Sequence, residues 1–454
     1  MEIKVNACLA KGQVINPVPE GVLVVDTGGL APSTFDGIAG VDEACRKSIG
    51  MGYVDHHSID MHFAGSKQTE KKCATQMVVD HFDEILKYCK EHNVKEVQIH
   101  QDSDMDAITA AYLLREGLKN GKLPKCAEQM ATIVNKVDYA EYRRPVDEYI
   151  TSFPGCVEAI YSASGGEKAA DIKSRQAWGE FAELDNKVLA EVFPVYDALA
   201  ARMEKNIPFN LDKMDIKSFI ENNPAIDDKT KEHMRKGLEW TKQAQMQFEK
   251  DIESAKIVKF NFNNPETNRV EEAQIVIVES KEPLTTTNLG YARFGKNTIM
   301  AVYAGKDRRS GDMYDIGIAP ETASILSGTM KEIAFEMNKA EAAARLEAKE
   351  EYQALARTPN MSKEQKELFE KHNKLFTELK AMKDAGKTRP GQPGGDLPGI
   401  DNIDPTPIVA RDTLVPASNH SLMTAEKFGK ILTNYASKTK MNVMAQIKQS
   451  GRIG

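Results

Sequence analysis

Over the first 140 or so residues, short apolar runs that end on an acid or a histidine alternate with stretches of helical periodicity. Gly21-Val-Leu-Val-Val-Asp26 is one such run, residues 51–55 ending at Asp55 are a second, and Lys95-Glu-Val-Gln-Ile-His100 is a third. Between them, residues 73–92 place Val78, Phe82, Ile85, Leu86 and Cys89 on one face at helical spacing. Ala107 to about Leu118 reads as a helix, and residues 131–138 as a short strand or helix. Apolar runs of this kind suit strands buried on both faces, and their alternation with helices predicts an α/β domain around a parallel sheet. Ligands of such sheets bind beyond the carboxyl ends of the strands. Asp26, Asp55, His56, His57, His100, Asp104, Asp106 and Asp138 are all expected at such ends.

At 454 residues the chain exceeds what one core usually holds, and its character changes twice. We expect a sheet domain over 1–150, a helical connector over 151–256 and a smaller α/β domain over 257–454. In the last of these, Val258, Phe260 and Phe262 alternate with polar residues, and 275–278, 298–303 and 313–319 read as strands. A helical hairpin is expected as an insertion at about 330–383. Ser362 followed by Gln365 marks the start of its second helix as a capping box. The Gly/Pro-rich 384–408 predicts no regular structure, and a helix is expected at about 424–438.

His100-Gln-Asp-Ser-Asp104-Met-Asp106 puts an imidazole and two carboxylates on one tight turn. Oxygen ligands with one or two imidazoles suit Mn²⁺, Mg²⁺ or similar ions. The bland alternative is an Asp-rich turn in which Asp106 caps a helix starting at Ala107. Asp55-His56-His57 is equally ambiguous by itself, since histidines are more often surface or satisfied core residues than ligands. Six of the nine histidines lie in the first 100 residues, and His56, His57 and His100 stand beside aspartates at strand ends. Asp26 and Asp138 add further carboxylates.

Composition narrows the classes. A formal net charge of −7 argues against a protein that coats long nucleic acid and suits a small anionic substrate held by cations. The six cysteines form no CxxC pair, so we expect reduced thiols in a cytoplasmic protein. No run is long enough to span a bilayer, and no leader pattern opens the chain. Asn135-Lys-Val-Asp138 matches the base-reading NKxD of GTPases, but no GxxxxGK[ST] accompanies it to cradle phosphates.

Taken together, Asp26, Asp55-His56-His57, His100-x-x-x-Asp104-x-Asp106-Ala107 and Asp138 resemble the motif set of the DHH phosphoesterase family. That family includes RecJ-like exonucleases, oligoribonucleases, cyclic-dinucleotide phosphodiesterases and family II inorganic pyrophosphatases. The order differs here: Asp26 and Asp55-His56-His57 precede His100, as if the strand and helix at about 94–120 had moved from the N-terminus. A parallel sheet tolerates such a permutation if the strand keeps its place.

The resemblance implies a DHH-type domain holding two Mn²⁺ ions, with Mg²⁺ or Co²⁺ as substitutes. His100 and Asp104 would bind one ion and Asp106 the other. Asp26 would bridge them, and His56 and Asp138 would complete the shells, with Asp147 as the alternative to Asp138. His57 would contact the scissile phosphate and Asp55 would orient a histidine. The C-terminal domain resembles the DHHA1-like substrate domain through Arg308 and Arg309 of Arg308-Arg-Ser-Gly-Asp-Met-Tyr-Asp315. Gly394 and Gly395 resemble its Gly-Gly-His loop without the His. The implied function is hydrolysis of short oligonucleotides or cyclic dinucleotides. A pyrophosphatase or polyphosphatase, a single-strand exonuclease and a non-catalytic nucleotide sensor are the alternatives. The helical insertion could serve a homodimer.

Overall fold

In the computed structural model the described residues are 3–9, 15, 17–27, 52–56, 72–101, 103–139, 141–169, 178–205, 210–280, 283–295, 297–306, 312–318, 322–384, 413–414 and 424–450. They form two compact units, the first up to residue 245 and the second from 246.

The first unit opens with β1 (Lys4–Leu9), β2 (Val22–Val25) and β3 (Tyr53–Val54), then α1 (Ala74–Asp80), α2 (Phe82–Glu91), β4 (Glu96–His100), α3 (Met105–Asn120) and α4 (Ala127–Asp138). The four strands make one sheet in the order β1-β4-β2-β3, and every pairing in it is parallel. Thus β4, late in the sequence, slots between β1 and β2. Val25 pairs with Val54 on one side and with Ile99 on the other. The next residues of these three strands, Asp26, Asp55 and His100, therefore stand level along one edge.

Several elements differ from the sequence-based expectation. β1 was not anticipated, because Lys4-Val-Asn-Ala-Cys-Leu9 mixes polar and apolar residues without a clear run. The helix expected over 73–92 is two helices that meet at His81, whose backbone leaves helical geometry at φ −116°, ψ 21°. Residues 131–138 belong to a helix, so Asp138 ends α4 and does not end a strand. Helix α3 starts at Met105 with Asp104 as its N-cap, so Asp106 is not the cap.

Helices α5 (Val146–Tyr149), α6 (Phe153–Ala169), α7 (Trp178–Glu204), α8 (Ile216–Asn222) and α9 (Asp228–Ile252) follow. Phe153, Val157, Ile160, Val192, Tyr196, Leu199 and Leu238 share one buried cluster with Val25, Val97, Ile99 and the apolar side of α3. The segment after residue 150 is thus packed into the first unit's core. Helix α3 is its centre, buried without a break from Met105 to Leu114.

The second unit contains β5 (Lys256–Asn264), β6 (Arg269–Glu279), α10 (Pro283–Phe294), β7 (Thr298–Lys306), β8 (Asp312–Ile318), α11 (Ala323–Ala356), α12 (Lys363–Asp384), β9 (Thr413–Leu414) and α13 (Ala425–Ser450). Its sheet runs β5-β6-β7-β8-β9 and is mixed, with only β6 and β7 parallel. Leu326, Met330, Ile333 and Met337 of α11 and Phe428 and Leu432 of α13 cover one face. Tyr291 of α10 packs on Val276, Val278, Met300 and Val302 of the other. The far part of α11 pairs with α12, where Tyr352 stacks on Phe369 at 4.9 Å and His372 Nε2 lies 2.9 Å from Glu351. The expected capping box is present: Ser362 N–H donates to Gln365 Oε1 at 2.8 Å, and Gln365 N–H to Ser362 Oγ at 3.2 Å.

The described cysteines, Cys8, Cys73, Cys89, Cys126 and Cys156, are free thiols. Among the described residues no helix is long and apolar enough to cross a membrane.

Close packing of α9 on α6 depends on Gly237, where a Cβ would stand 2.1 Å from the Ala159 carbonyl oxygen. Gly429 in α13 has nothing within 4 Å of its notional Cβ. Chemical unfolding should therefore show opposite signs for the two alanine variants. Gly237→Ala should lose about 1–3 kcal/mol, and Gly429→Ala should gain about 0.4–1 kcal/mol.

Candidate metal centre

Each candidate ligand is delivered by an element end. Asp26 follows β2 with φ +49°, in the left-handed region that aspartate tolerates better than most residues. Its N–H still donates to Val54 O at 3.0 Å, so the ladder holds the residue while the chain turns. Asp55 braces that turn: its Oδ2 accepts from Thr27 N–H and Thr27 Oγ1, both at 3.2 Å. His56 follows Asp55. His100 ends β4, with Nδ1 2.8 Å from Gln101 O. Ser103 Oγ donates to His100 O at 2.5 Å and tightens the turn into α3. Asp104 caps that helix, accepting from Ala107 N–H at 3.2 Å, and Asp106 lies in its first turn.

These side chains converge around the two oxygens of Asp26. Oδ1 lies 3.3 Å from His56 Nε2 and Oδ2 lies 3.8 Å from His100 Nε2. His100 Nε2 is also 3.6 Å from Asp104 Oδ2. His56 Nε2 is 3.9 Å from both Asp106 Oδ2 and Asp138 Oδ2. Two groups result, Asp26–His100–Asp104 and Asp26–His56–Asp106, each with ligand atoms within 4.8 Å of one another. Asp26 belongs to both.

The spacing fits metal ions. Among the described residues, buried His100 Nε2 has no hydrogen-bond partner, and its carboxylate neighbours at 3.6 and 3.8 Å are too far for one. Two atoms bound to a common ion at about 2.0–2.2 Å stand roughly 3–4 Å apart, which is the separation found here. Four carboxylates and two imidazoles suit hard to borderline divalent cations. Asp104, with 36% of its side chain exposed, marks the open side, while the other five are at 8% or less.

Without cations, protons take up the charge. Burial drives the His56 imidazole down, but Asp138, Asp26 and Asp106 outweigh it and lift its pKa to about 9. Burial likewise opposes charge on His100, and Asp104 and Asp26 raise it to about 10. Desolvation, reinforced by Asp26 and Asp138, pushes Asp106 up to about 7.

Of the residues singled out in the sequence, Asp26, His56, His100, Asp104, Asp106 and Asp138 come together, with Asp55 behind them. Asp147 is exposed on α5. His57, Arg308, Arg309, Gly394 and Gly395 lie outside the described residues. Sequence reasoning assigned no role to Thr27, Ser103 or Thr75. It also set aside Asn135, which the NKxD match did bring to notice. Comparison with known protein families, with curated proteins and with solved structures finds no match to this chain.

The pKa values set a pH dependence. At neutral pH the metal-free imidazoles are protonated, and ions must displace those protons to bind. Mn²⁺ affinity should rise from about pH 6 to about pH 9, with proton release visible by calorimetry in buffers of different ionisation enthalpy. The metal-free fold should behave oppositely. Both histidine pKa values are raised on folding, so their stabilisation is complete below about pH 6.5 and is lost as pH rises through 9 and 10. An Mn²⁺ affinity that stays flat over that range would remove His56 and His100 from the ligand set.

Proposed function

We propose that this chain is a two-metal phosphoesterase of the DHH type, acting on the phosphodiester bonds of short oligonucleotides or cyclic dinucleotides. The observation that carries the reading is the single carboxylate of Asp26 facing two imidazoles, each joined by further carboxylates, at the carboxyl edge of a parallel sheet. Two divalent ions held by Asp26, His56, His100, Asp104, Asp106 and Asp138 would supply a hydroxide at neutral pH and withdraw charge from a phosphate oxygen.

The roles of the chain's own groups follow from their placement. Asp26 holds both positions in register. Asp104 forms the open side, where a phosphate can arrive from solvent. His100, His56, Asp106 and Asp138 form the buried side. The Asp55–Thr27 brace keeps the Asp26 carboxylate directed between the two imidazoles. The donor set carries so much negative charge that an anionic substrate is repelled until cations are present, which ties activity to metal loading. The net charge of −7 disfavours long nucleic acid and favours a short substrate.

The test is an assay of the Mn²⁺-supplemented protein on a linear diadenylate, a cyclic dinucleotide, short RNA, single-stranded DNA and pyrophosphate. The expected result is turnover of the dinucleotides, reduced about a hundredfold or more in Asp26→Ala and His56→Ala. Preferred cleavage of pyrophosphate would replace the diesterase with a phosphoanhydride hydrolase at the same centre. A folded protein that binds Mn²⁺ and cleaves none of these would sink the catalytic reading.

A further inference from the structure

The two halves of the centre are anchored differently, and the difference lies in a strap at residues 72–75. Cys73 occupies the N-cap position of α1 but gives its helix no side-chain cap. The amides there are taken by two other helices. Cys73 N–H donates to Asn135 Oδ1 at 2.8 Å, Ala74 N–H to Asp106 Oδ2 at 2.7 Å and Thr75 N–H to Asp106 Oδ1 at 2.8 Å. Thr75 Oγ1 adds a bond to the backbone oxygen of Asp106 at 3.0 Å. Tyr139, next to Asp138, donates its hydroxyl to Lys72 O at 3.4 Å, and its ring stands edge-on to His56 with centroids 6.3 Å apart.

Asn135 lies one helical turn before Asp138, on the same side of α4. The strap therefore ties the helix that carries Asp106 to the helix that carries Asp138, beside His56. On the other half, His100 and Asp104 are held at the β4–α3 turn, through the bonds of His100 Nδ1 with Gln101 O, of Ser103 with His100 O and of Ala107 with Asp104, and through the β4 ladder.

We infer that Asn135 and Thr75 are positioning residues for one ion only, the one held by Asp26, His56, Asp106 and Asp138. This rests on the metal centre proposed above. Asn135 accepts from Cys73 N–H and acts through Cys73 and the α1 amides that grip Asp106. Thr75 acts directly on the Asp106 backbone and carboxylate. Loss of either lets the helix-borne carboxylates drift apart, while the His100–Asp104 half keeps its geometry. The NKxD match in the sequence thereby acquires a structural meaning: its Asn and Asp stand one turn apart, the Asn on the strap and the Asp on the centre.

The test is Mn²⁺ binding to the full chain with no substrate, by calorimetry and by electron paramagnetic resonance of the bound ions. Wild type should take up two ions. Asn135→Ala should weaken one of them about 10- to 100-fold and leave the other unchanged, as outer-shell substitutions do at metal sites. The spin-coupled signal of an ion pair should then give way to that of an isolated Mn²⁺ at limiting metal. Thr75→Val, which keeps the shape and removes the hydroxyl, should act in the same direction, and Thr75→Ser should restore wild-type binding. If Asn135→Ala does not melt cooperatively, the Thr75 pair decides alone. Two ions in wild type with both weakened equally, or neither weakened, in the folded variants would overturn the strap and leave the centre standing. A wild type that binds no divalent ion would overturn the centre and the strap with it.

Discussion

The placement of one carboxylate governs the rest of the first unit. Asp26 sits at the end of the strand that has β4 on one flank and β3 on the other, so its neighbours in the sheet are His100 and the Asp55-His56 pair. Its left-handed backbone turns the side chain out of the strand's alternation, and Asp55 holds the turn through Thr27. Local strain of this kind persists only where surrounding bonds determine it. Here the Val54 carbonyl and the Asp55 carboxylate do so from two sides.

The same arrangement concentrates negative charge where water is scarce. Asp26, Asp106 and Asp138 are nearly inaccessible, and burying several carboxylates side by side is costly. The fold offsets the cost in part with main-chain donors, since both oxygens of Asp106 accept α1 amides. Protons on His56 and His100 offset part of what is left in the metal-free state. Divalent cations would replace those protons without moving the side chains, because the ligand atoms already stand at the separation that a shared ion imposes.

Strand-borne parts of this site were legible in the sequence. Val22–Val25 and Glu96–His100 are short apolar or alternating runs that stop on a ligand, and the sheet places those stops level. The helix-borne parts were not legible in the same way. Asp138 looked like another strand end because Ala131-Thr-Ile-Val-Asn-Lys-Val reads equally as a strand or a helix, and only packing against α1 and α3 decides it. Asp106 read as a ligand or as a cap, because both draw on the same residue type, and Asp104 holds the cap. The packing of α6, α7 and α9 into the first core was likewise hidden. Charged amphipathic helices look alike in sequence whether they bridge two domains or cover one.

Chain order matters little to such a centre, for a physical reason. A ligand at a strand end is positioned by its register with the neighbouring strand, and register depends on adjacency in the sheet and not on which strand comes first. β4 can enter between β1 and β2 after both have been made and still bring His100 level with Asp26. Asp138 has no such ladder, because helix α4 packs on α1 and α3 and pairs with no strand. A ligand delivered by a helix needs a tie of its own, and the bond from Cys73 to Asn135 supplies one at the turn where Asp138 is presented. Side chains at the strand ends can therefore be contributed in any chain order, whereas the helix-borne carboxylates depend on the segment that straps their helices together.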